Sequence, residues 1–138
     1  MPVDALRVET RIQNEISEVG SVADLVSRFC ATHNLSDQML VALSVSLDET
    51  LSNIIKYAYS DQRGHSIFVQ LAREPDAVAA TVEDDGRPFD PLSAPRLDLK
   101  SPDRDSGFGI HFIRNLMDDV KYFREGGLNR LVMRKRIV

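Results

Sequence analysis

The sequence predicts an α+β fold of two layers, in which three helices cover one face of an antiparallel or mixed sheet. Three observations lead to this prediction: segments that alternate apolar and polar side chains, segments with apolar residues at helical spacing, and turn signals between them. Their order is β-α-α-β-β-loop-α-β-β. The chain has 138 residues, 43% of them hydrophobic, so we expect a single domain over residues 1–138.

The first half of the chain predicts a strand, two helices and a hairpin. Leu6 begins a run of alternating apolar and polar residues, and Ser36 is a suitable N-cap for a long second helix. The breaker Glu74-Pro75-Asp76 separates the two hairpin strands. The predicted elements of this half are a strand at 6–12, a helix at about 14–33, a helix at about 37–60, and strands at 67–71 and 78–82.

The second half begins with a long loop. Four prolines and several charges between Asp85 and Ser106 exclude a regular helix or strand there. A loop of this length in a small domain is typical of a functional segment, and we predict a lid at about 86–106. A helix at 107–118 and a hairpin around Gly126-Gly127, with strands at 120–123 and 128–137, complete the chain.

Composition excludes several classes of function. The net charge of −4 gives no basic field to hold nucleic acid, and no apolar window is long enough to span a membrane, so we expect a cytoplasmic protein that binds neither. Cys30 is the single cysteine, which excludes a disulfide framework. His33, His65 and His111 have no ligand spacing, and we assign no metal to them.

The second predicted helix carries a polar face with two residues suited to phosphate chemistry. Glu49 and Asn53 lie one turn apart, opposite an apolar stripe. Such a face usually contacts solvent, but asparagine is a poor interior helix former and forms no ion pair with the glutamate. An amide oxygen is a ligand that Mg²⁺ accepts, and a carboxylate can take a proton from an attacking hydroxyl.

Two further segments are candidates for nucleotide contacts. Asp84 ends a predicted strand, where it can accept the amine of a purine, and Gly86 lets a flat ring approach the backbone. Gly107 and Gly109 open the third predicted helix, whose exposed N–H groups favour a phosphate. Each pattern alone is equally typical of a turn or a hinge.

Taken in this order, the three segments resemble the N, G1 and G2 boxes of the Bergerat-type (GHKL) ATPases. Within that superfamily the chain resembles the small bacterial anti-sigma-factor serine kinases over nearly its whole length. No phosphate loop, Rossmann glycine motif or protein-kinase catalytic loop occurs in the sequence. The segments that carry the resemblance are 47–59, 84–91, and 107–110 followed by 117–120.

The resemblance implies a role for each candidate. Glu49 becomes the catalytic base, Asn53 the Mg²⁺ ligand and Asp84 the carboxylate that reads adenine. Arg104, in the lid, would lie near the γ-phosphate and neutralise charge during transfer. The remaining implied nucleotide contacts are Gly86, Gly107, Phe108 and Gly109.

The implied function is that of an ATP- and Mg²⁺-dependent serine-protein kinase and anti-sigma factor. Such a protein phosphorylates an antagonist protein and sequesters a sigma factor, and both the family and the amphipathic first strand indicate a homodimer. Two alternatives stay open: an ATP-binding docking module without kinase activity, and a detached histidine-kinase-like catalytic domain.

Two positions depart from the family pattern. Tyr57 stands where many relatives have histidine, which we expect to leave binding intact. Asn129-Arg130 stands where the superfamily often has Gly-Thr, and we expect this change to affect the phosphate side of the pocket without touching the adenine side.

Overall fold

A computed structural model describes residues 6–61, 63–88 and 113–137. Two long helices lie in this part, α1 at Val19–Thr32 and α2 at Asp37–Tyr57, and residues 113–116 are helical as well. The strands are β1 at Arg7–Gln13, β2 at Ser66–Arg73, β3 at Ala77–Asp84, β4 at Asp119–Glu125 and β5 at Leu128–Arg136.

The five strands form one sheet in the order β1-β2-β3-β5-β4, and each neighbouring pair is antiparallel. The predicted α+β fold is therefore confirmed, with an antiparallel rather than a mixed sheet. Because β5 lies between β3 and β4, the hairpin of β4 and β5 lies directly beside β3, the second strand of the hairpin of β2 and β3. The register pairs Asp84 at the end of β3 with Asn129 near the start of β5.

The helix α2 begins where the sequence predicts. The Ser36 hydroxyl oxygen accepts a hydrogen bond from the Met39 backbone N–H at 3.1 Å, as an N-cap does. One face of α2 is buried against the sheet, and burial of this apolar stripe sets which side of the helix faces the core. The stripe consists of Met39, Leu43, Leu47 and Leu51, each at most 3% exposed.

The hairpin between β4 and β5 also follows the prediction. Glu125 pairs with Leu128, which leaves a loop of two residues. Gly126 and Gly127 both have positive φ, 59° and 79°, a conformation that favours glycine and is typical of a type I′ turn. This turn sets the register that brings β5 back along β3.

Two boundaries of the long helices differ from the predictions. The helix α1 begins at Val19, after a 3-10 turn at Ile16–Glu18, rather than near residue 14. The helix α2 ends at Tyr57 rather than near 60, because the carbonyl of the following residue, Ala58, accepts a hydrogen bond from the Arg87 N–H at 2.9 Å. That contact joins the end of α2 to the segment after β3.

Parts of three predictions lie outside the described residues. These are most of the lid at about 86–106, the start of the third helix at 107–112, and the two chain ends, so a single domain over 1–138 and the lid stay predictions. Within the described helices, none is long and apolar enough to cross a membrane.

Candidate functional site

A cleft lies between the C-terminal half of α2 and the ends of β3, β4 and β5. Its apolar surfaces come from Ile54 on α2, Val82 on β3 and Leu131 on β5. Its polar lining consists of Thr50, Asn53, Asp84, Arg87, Tyr122 and Asn129. A cleft that is mostly apolar with a few convergent polar groups is the usual form of a small-molecule site.

Asp84 is a carboxylate buried at one end of this cleft, with 6% of its surface exposed. Its Oδ1 accepts hydrogen bonds from the Gly86 backbone N–H at 2.9 Å and from Asn129 Nδ2 at 3.0 Å. Burial raises the pKa of Asp84, while these two donors oppose that rise. Both hydrogen bonds from described residues go to Oδ1, which leaves Oδ2 available as an acceptor.

Asn129 is the centre of a polar network next to Asp84 and is itself 5% exposed. Its Nδ2 donates to Asp84 and also to the backbone carbonyls of Gly86 and Arg87, at 3.3 and 3.0 Å. Its Oδ1 accepts from the Tyr122 hydroxyl and from Arg124 Nη1. The side chain therefore links β3, β4, β5 and the segment after β3.

Gly86 is required by a close backbone approach. A Cβ atom at this position would lie 2.6 Å from both Cβ and O of Ala58, at the end of α2. Arg124 Nη1 donates to the Gly86 carbonyl at 2.8 Å from the other side. The sequence predicts this glycine as a site of ligand approach, whereas the structure shows that its contact with Ala58 already disfavours a side chain.

The α2 side of the cleft is simpler. Asn53 lines the cleft and is half-buried, and Glu49 lies one turn earlier on the same helix, also half-buried. Thr50 between them is buried, and its hydroxyl donates to the Ser46 carbonyl at 2.7 Å. The predicted placement of Glu49 and Asn53 one turn apart is therefore what the structure shows.

A second cluster lies beside Asp84, at the loop between α2 and β2. The His65 ring stacks on Tyr59 with centroids 4.2 Å apart, and its Nε2 lies 2.8 Å from Asp61 Oδ1. Its Nδ1 lies 3.3 Å from Asp85 Oδ1. The hydrogen bond with Asp61, and more weakly the one with Asp85, raises the pKa of His65, and His65 lowers the pKa of Asp61. Burial, with Asp84 and Asp85 nearby, raises the pKa of Tyr59.

The structure brings Asn53, Asp84 and Gly86 to one cleft region, with Glu49 on the adjoining helix turn. Four other predicted site residues, Arg104, Gly107, Phe108 and Gly109, lie outside the described residues.

The expectation that Asn129 leaves the Asp84 side of the pocket untouched is wrong, because Asn129 donates directly to Asp84. The strand order that causes this contact is not visible in the sequence. Asn129 and Asp84 are 45 residues apart, and only the pairing of β3 with β5 makes them neighbours.

Comparison with known proteins identifies the class to which this fold and cleft belong. A family model for the histidine kinase-like ATPase domain matches residues 12–135, which include the strands β2, β3 and β4, nearly all of β5, both long helices and the cleft. The chain belongs to the histidine kinase-like ATPase domain family.

Curated relatives give a finer likeness. The chain is 27% identical over 101 residues to the serine/threonine-protein kinase BtrW of Bordetella bronchiseptica, which covers 71% of each chain. It is 25% identical over 142 residues to the serine-protein kinase RsbW of Listeria monocytogenes, covering 97% of this chain and 88% of that one. The resemblance to the anti-sigma-factor serine kinases that the sequence predicts is thereby confirmed.

Solved structures share the fold. The RsbU and RsbW domains of Rv1364c from Mycobacterium tuberculosis match with a TM-score of 0.67 at 14% identity, over 95% of this chain and 32% of that one. The chain thus spans about a third of the length of that protein. A blue-light activated histidine kinase of Erythrobacter litoralis matches with a TM-score of 0.56 at 16% identity, over 88% of this chain and 60% of that one.

Proposed function

We propose that this chain is an ATP-dependent serine-protein kinase and anti-sigma factor of the cytoplasm. It phosphorylates an antagonist protein and sequesters a sigma factor when that antagonist is absent. The observation that carries the proposal is Asp84, a buried carboxylate held as an acceptor at the end of an apolar cleft, in a chain of this ATPase family.

The Asp84 end of the cleft fits adenine. The exocyclic amine of adenine is a hydrogen-bond donor, and Oδ2 of Asp84 receives no hydrogen bond from a described residue. Ile54, Val82 and Leu131 supply apolar surface for the faces of a purine ring. In this role Asp84 would give both affinity and base selectivity. A base without an amine at this position would leave the buried carboxylate without a hydrogen-bond donor, which costs binding free energy.

The α2 side of the cleft fits a Mg²⁺-bound triphosphate. Asn53 would hold the metal through its amide oxygen, a neutral hard ligand. Among the described residues no group of three or more histidine, cysteine or carboxylate side chains is arranged to hold a metal, so phosphate oxygens and water would complete the coordination. The metal supplies charge neutralisation at the phosphates.

Glu49 would act as the base that receives the proton of the attacking serine hydroxyl. It lies one helical turn from Asn53 and so on the same side of α2. Arg104 would neutralise charge at the γ-phosphate, and Gly107, Phe108, Gly109 and Gly86 would contact the nucleotide. The lid at about 86–106 would close over it, as the sequence predicts.

A homodimer is part of the same proposal. The strand β1 lies at the edge of the sheet and pairs with β2 on one side. An edge strand offers backbone hydrogen-bonding groups that a second copy can pair with. Light scattering at tens of micromolar protein should give the mass of a dimer, and a monomer mass would contradict this part of the proposal.

The test of the main proposal is transfer of labelled phosphate from ATP to a protein partner purified from the source cell. We expect phosphoserine on a small antagonist protein, mapped by mass spectrometry. ATP-dependent binding of the partner with no transfer would identify the docking module instead. Acid-labile phosphohistidine on the acceptor would identify the histidine-kinase-like alternative, so each outcome separates the three functions.

A further inference from the structure

The orientation of the Asn129 side chain is fixed by donors on its oxygen. The Tyr122 hydroxyl and Arg124 Nη1, the latter at 3.1 Å, both donate to Asn129 Oδ1. A tyrosine hydroxyl could meet either amide atom, but a guanidinium has donors only, so the atom of Asn129 that faces Arg124 must be the oxygen. The amide therefore has one orientation, with Nδ2 pointing away from this pair.

On the opposite side Nδ2 meets three acceptors. They are Asp84 Oδ1 at 3.0 Å, the Gly86 carbonyl at 3.3 Å and the Arg87 carbonyl at 3.0 Å. A carboxyl oxygen that accepts from an amide N–H is less able to carry a proton itself. The network thus presents Asp84 to the cleft as an acceptor.

The charge state of Asp84 is balanced between opposing effects. Burial raises its pKa, the hydrogen bonds from Asn129 and Gly86 lower it, the neighbouring Asp85 raises it, and Arg124 lowers it. The Tyr59 hydroxyl is a further titratable group near this carboxyl, since Asp84 contributes to the raised pKa of Tyr59. Asn129 contributes the largest of the opposing effects, so its removal favours the neutral acid.

The two charge states read different purines. A carboxylate accepts a hydrogen bond from the 6-amino group of adenine, whereas it repels the 6-oxo oxygen of guanine, which is also an acceptor. A neutral acid can donate to a 6-oxo oxygen, so protonation of the reading group reduces the discrimination.

We infer that Asn129 is a positioning residue that determines base specificity, because it holds Asp84 as an acceptor and so makes the cleft select a 6-amino purine over a 6-oxo purine. The inference rests on the proposed binding of ATP in this cleft and adds the group that sets its selectivity. The hairpin of β4 and β5 would thus take part in recognition of the nucleobase.

The test is Asn129→Leu, which keeps the approximate volume and removes both the donor and the acceptor. Calorimetry with Mg²⁺-ATP and Mg²⁺-GTP between pH 5 and 8 gives the ratio of the two affinities. Both nucleotides carry the same triphosphate, so its contribution to binding does not affect this ratio. We expect the preference for ATP to fall by about 10-fold. Carboxyl NMR of the nucleotide-free protein should show a higher pKa of Asp84 than in the wild type, because the hydrogen bond from Asn129 that lowers it is gone. As the pH falls, the preference for ATP over GTP should therefore be lost at a higher pH in the variant than in the wild type.

Two further variants keep the test decisive. Tyr122→Phe retains Asn129 but removes one of the donors that orient it, so selectivity should fall in the same direction by a smaller factor. Arg130→Leu is the control, since Arg130 is the next residue on β5, faces the other side of the sheet and pairs with Glu83 at 2.6 Å. This variant should keep the wild-type ratio.

The outcomes are distinct. Folded Asn129→Leu and Tyr122→Phe proteins with a wild-type ATP to GTP ratio would overturn the inference, as would an equal loss of both nucleotides with an unchanged pKa of Asp84. If Asn129→Leu does not fold, Tyr122→Phe alone decides. A wild-type protein that binds neither nucleotide would overturn the proposed function itself, whereas a preference for ATP over GTP that is lost in Asp84→Ala but kept in Asn129→Leu would overturn only the inference.

Discussion

At one end of the cleft, Asp84 is held by Asn129 from a neighbouring strand and by the backbone of the segment that follows it, whereas at the other end Glu49 and Asn53 lie on a single helix. The Asp84 end is buried and densely hydrogen-bonded, and the α2 end is half-exposed. In the proposed function, the Asp84 end would recognise the base through contacts across several elements, and the α2 end would carry the chemistry on residues at helical spacing. Substitutions at the two ends should therefore fail in different ways.

The largest expected effect is at the chemical end. Glu49→Gln keeps size and hydrogen-bonding capacity but removes the proposed base, so phosphoryl transfer should fall by roughly 10²–10⁴-fold while ATP affinity is retained. Radiolabel transfer and calorimetry on the same preparation check both halves. Asn53→Ala is the contrast, since loss of a metal ligand should weaken Mg²⁺-ATP binding as well as transfer. Wild-type transfer by Glu49→Gln would show that the base is another group.

Next in size is the recognition end. Asp84→Ala removes the proposed acceptor for the purine amine, a loss that typically costs about 1–3 kcal/mol and thus about 5- to 150-fold in ATP affinity. Selectivity over GTP should fall with it, as measured by competition calorimetry. Unchanged affinity and unchanged selectivity would show that the base is read elsewhere in the cleft.

A third prediction concerns stability at the junction of the two ends. Gly86→Ala places a Cβ 2.6 Å from the Ala58 carbonyl, so the backbone must shift, and we expect a loss of about 1–3 kcal/mol in the free energy of unfolding. Gly20→Ala in α1 is the matched control. Its Cβ would meet no atom within 4 Å, and the helix should gain up to about 1 kcal/mol. Equal denaturation midpoints for the two variants would contradict the close contact at Gly86.

The smallest expected effect lies on the exposed side of the Asp84–Gly86 segment, at His65. The pKa of His65 is raised above 6.5, chiefly by its hydrogen bond with Asp61, so the stability it contributes is present below pH 6.5 and lost as the pH rises through its folded-state pKa. The pKa of Asp61 is lowered below 3.8, so its contribution is present above that value and lost as the pH falls through the folded-state pKa.

The difference in unfolding free energy between wild type and His65→Gln should therefore be largest between pH 3.8 and pH 6.5. It should shrink as the pH rises through the folded-state pKa of His65. Urea denaturation at several pH values measures it. Asp61→Asn should flatten the same pH dependence, because it removes the nearest partner of the imidazole. A difference that grows from pH 6 to 8 would show that the neutral imidazole is the stabilising form.

Much of the fold could be predicted from sequence because its signals are local. The apolar stripe and Ser36 cap define α2, alternation defines the strands, and two glycines at Gly126-Gly127 define the last hairpin. The same helical spacing placed Glu49 and Asn53 one turn apart, as the structure confirms. Their roles, and those of Arg104, Gly107, Phe108 and Gly109, stay predictions.

What the sequence by itself determined is therefore the α+β class, the elements and the polar face of α2, since these depend on residues three or four positions apart along one helix or two apart along one strand. The tertiary structure alone decided that β5 lies beside β3, which makes Asn129 a partner of Asp84, and that Ala58 lies against Gly86. The physical reason is that strand order and register are set by burying apolar side chains of one sheet face against the helices. No local pattern around Asn129 carries that information.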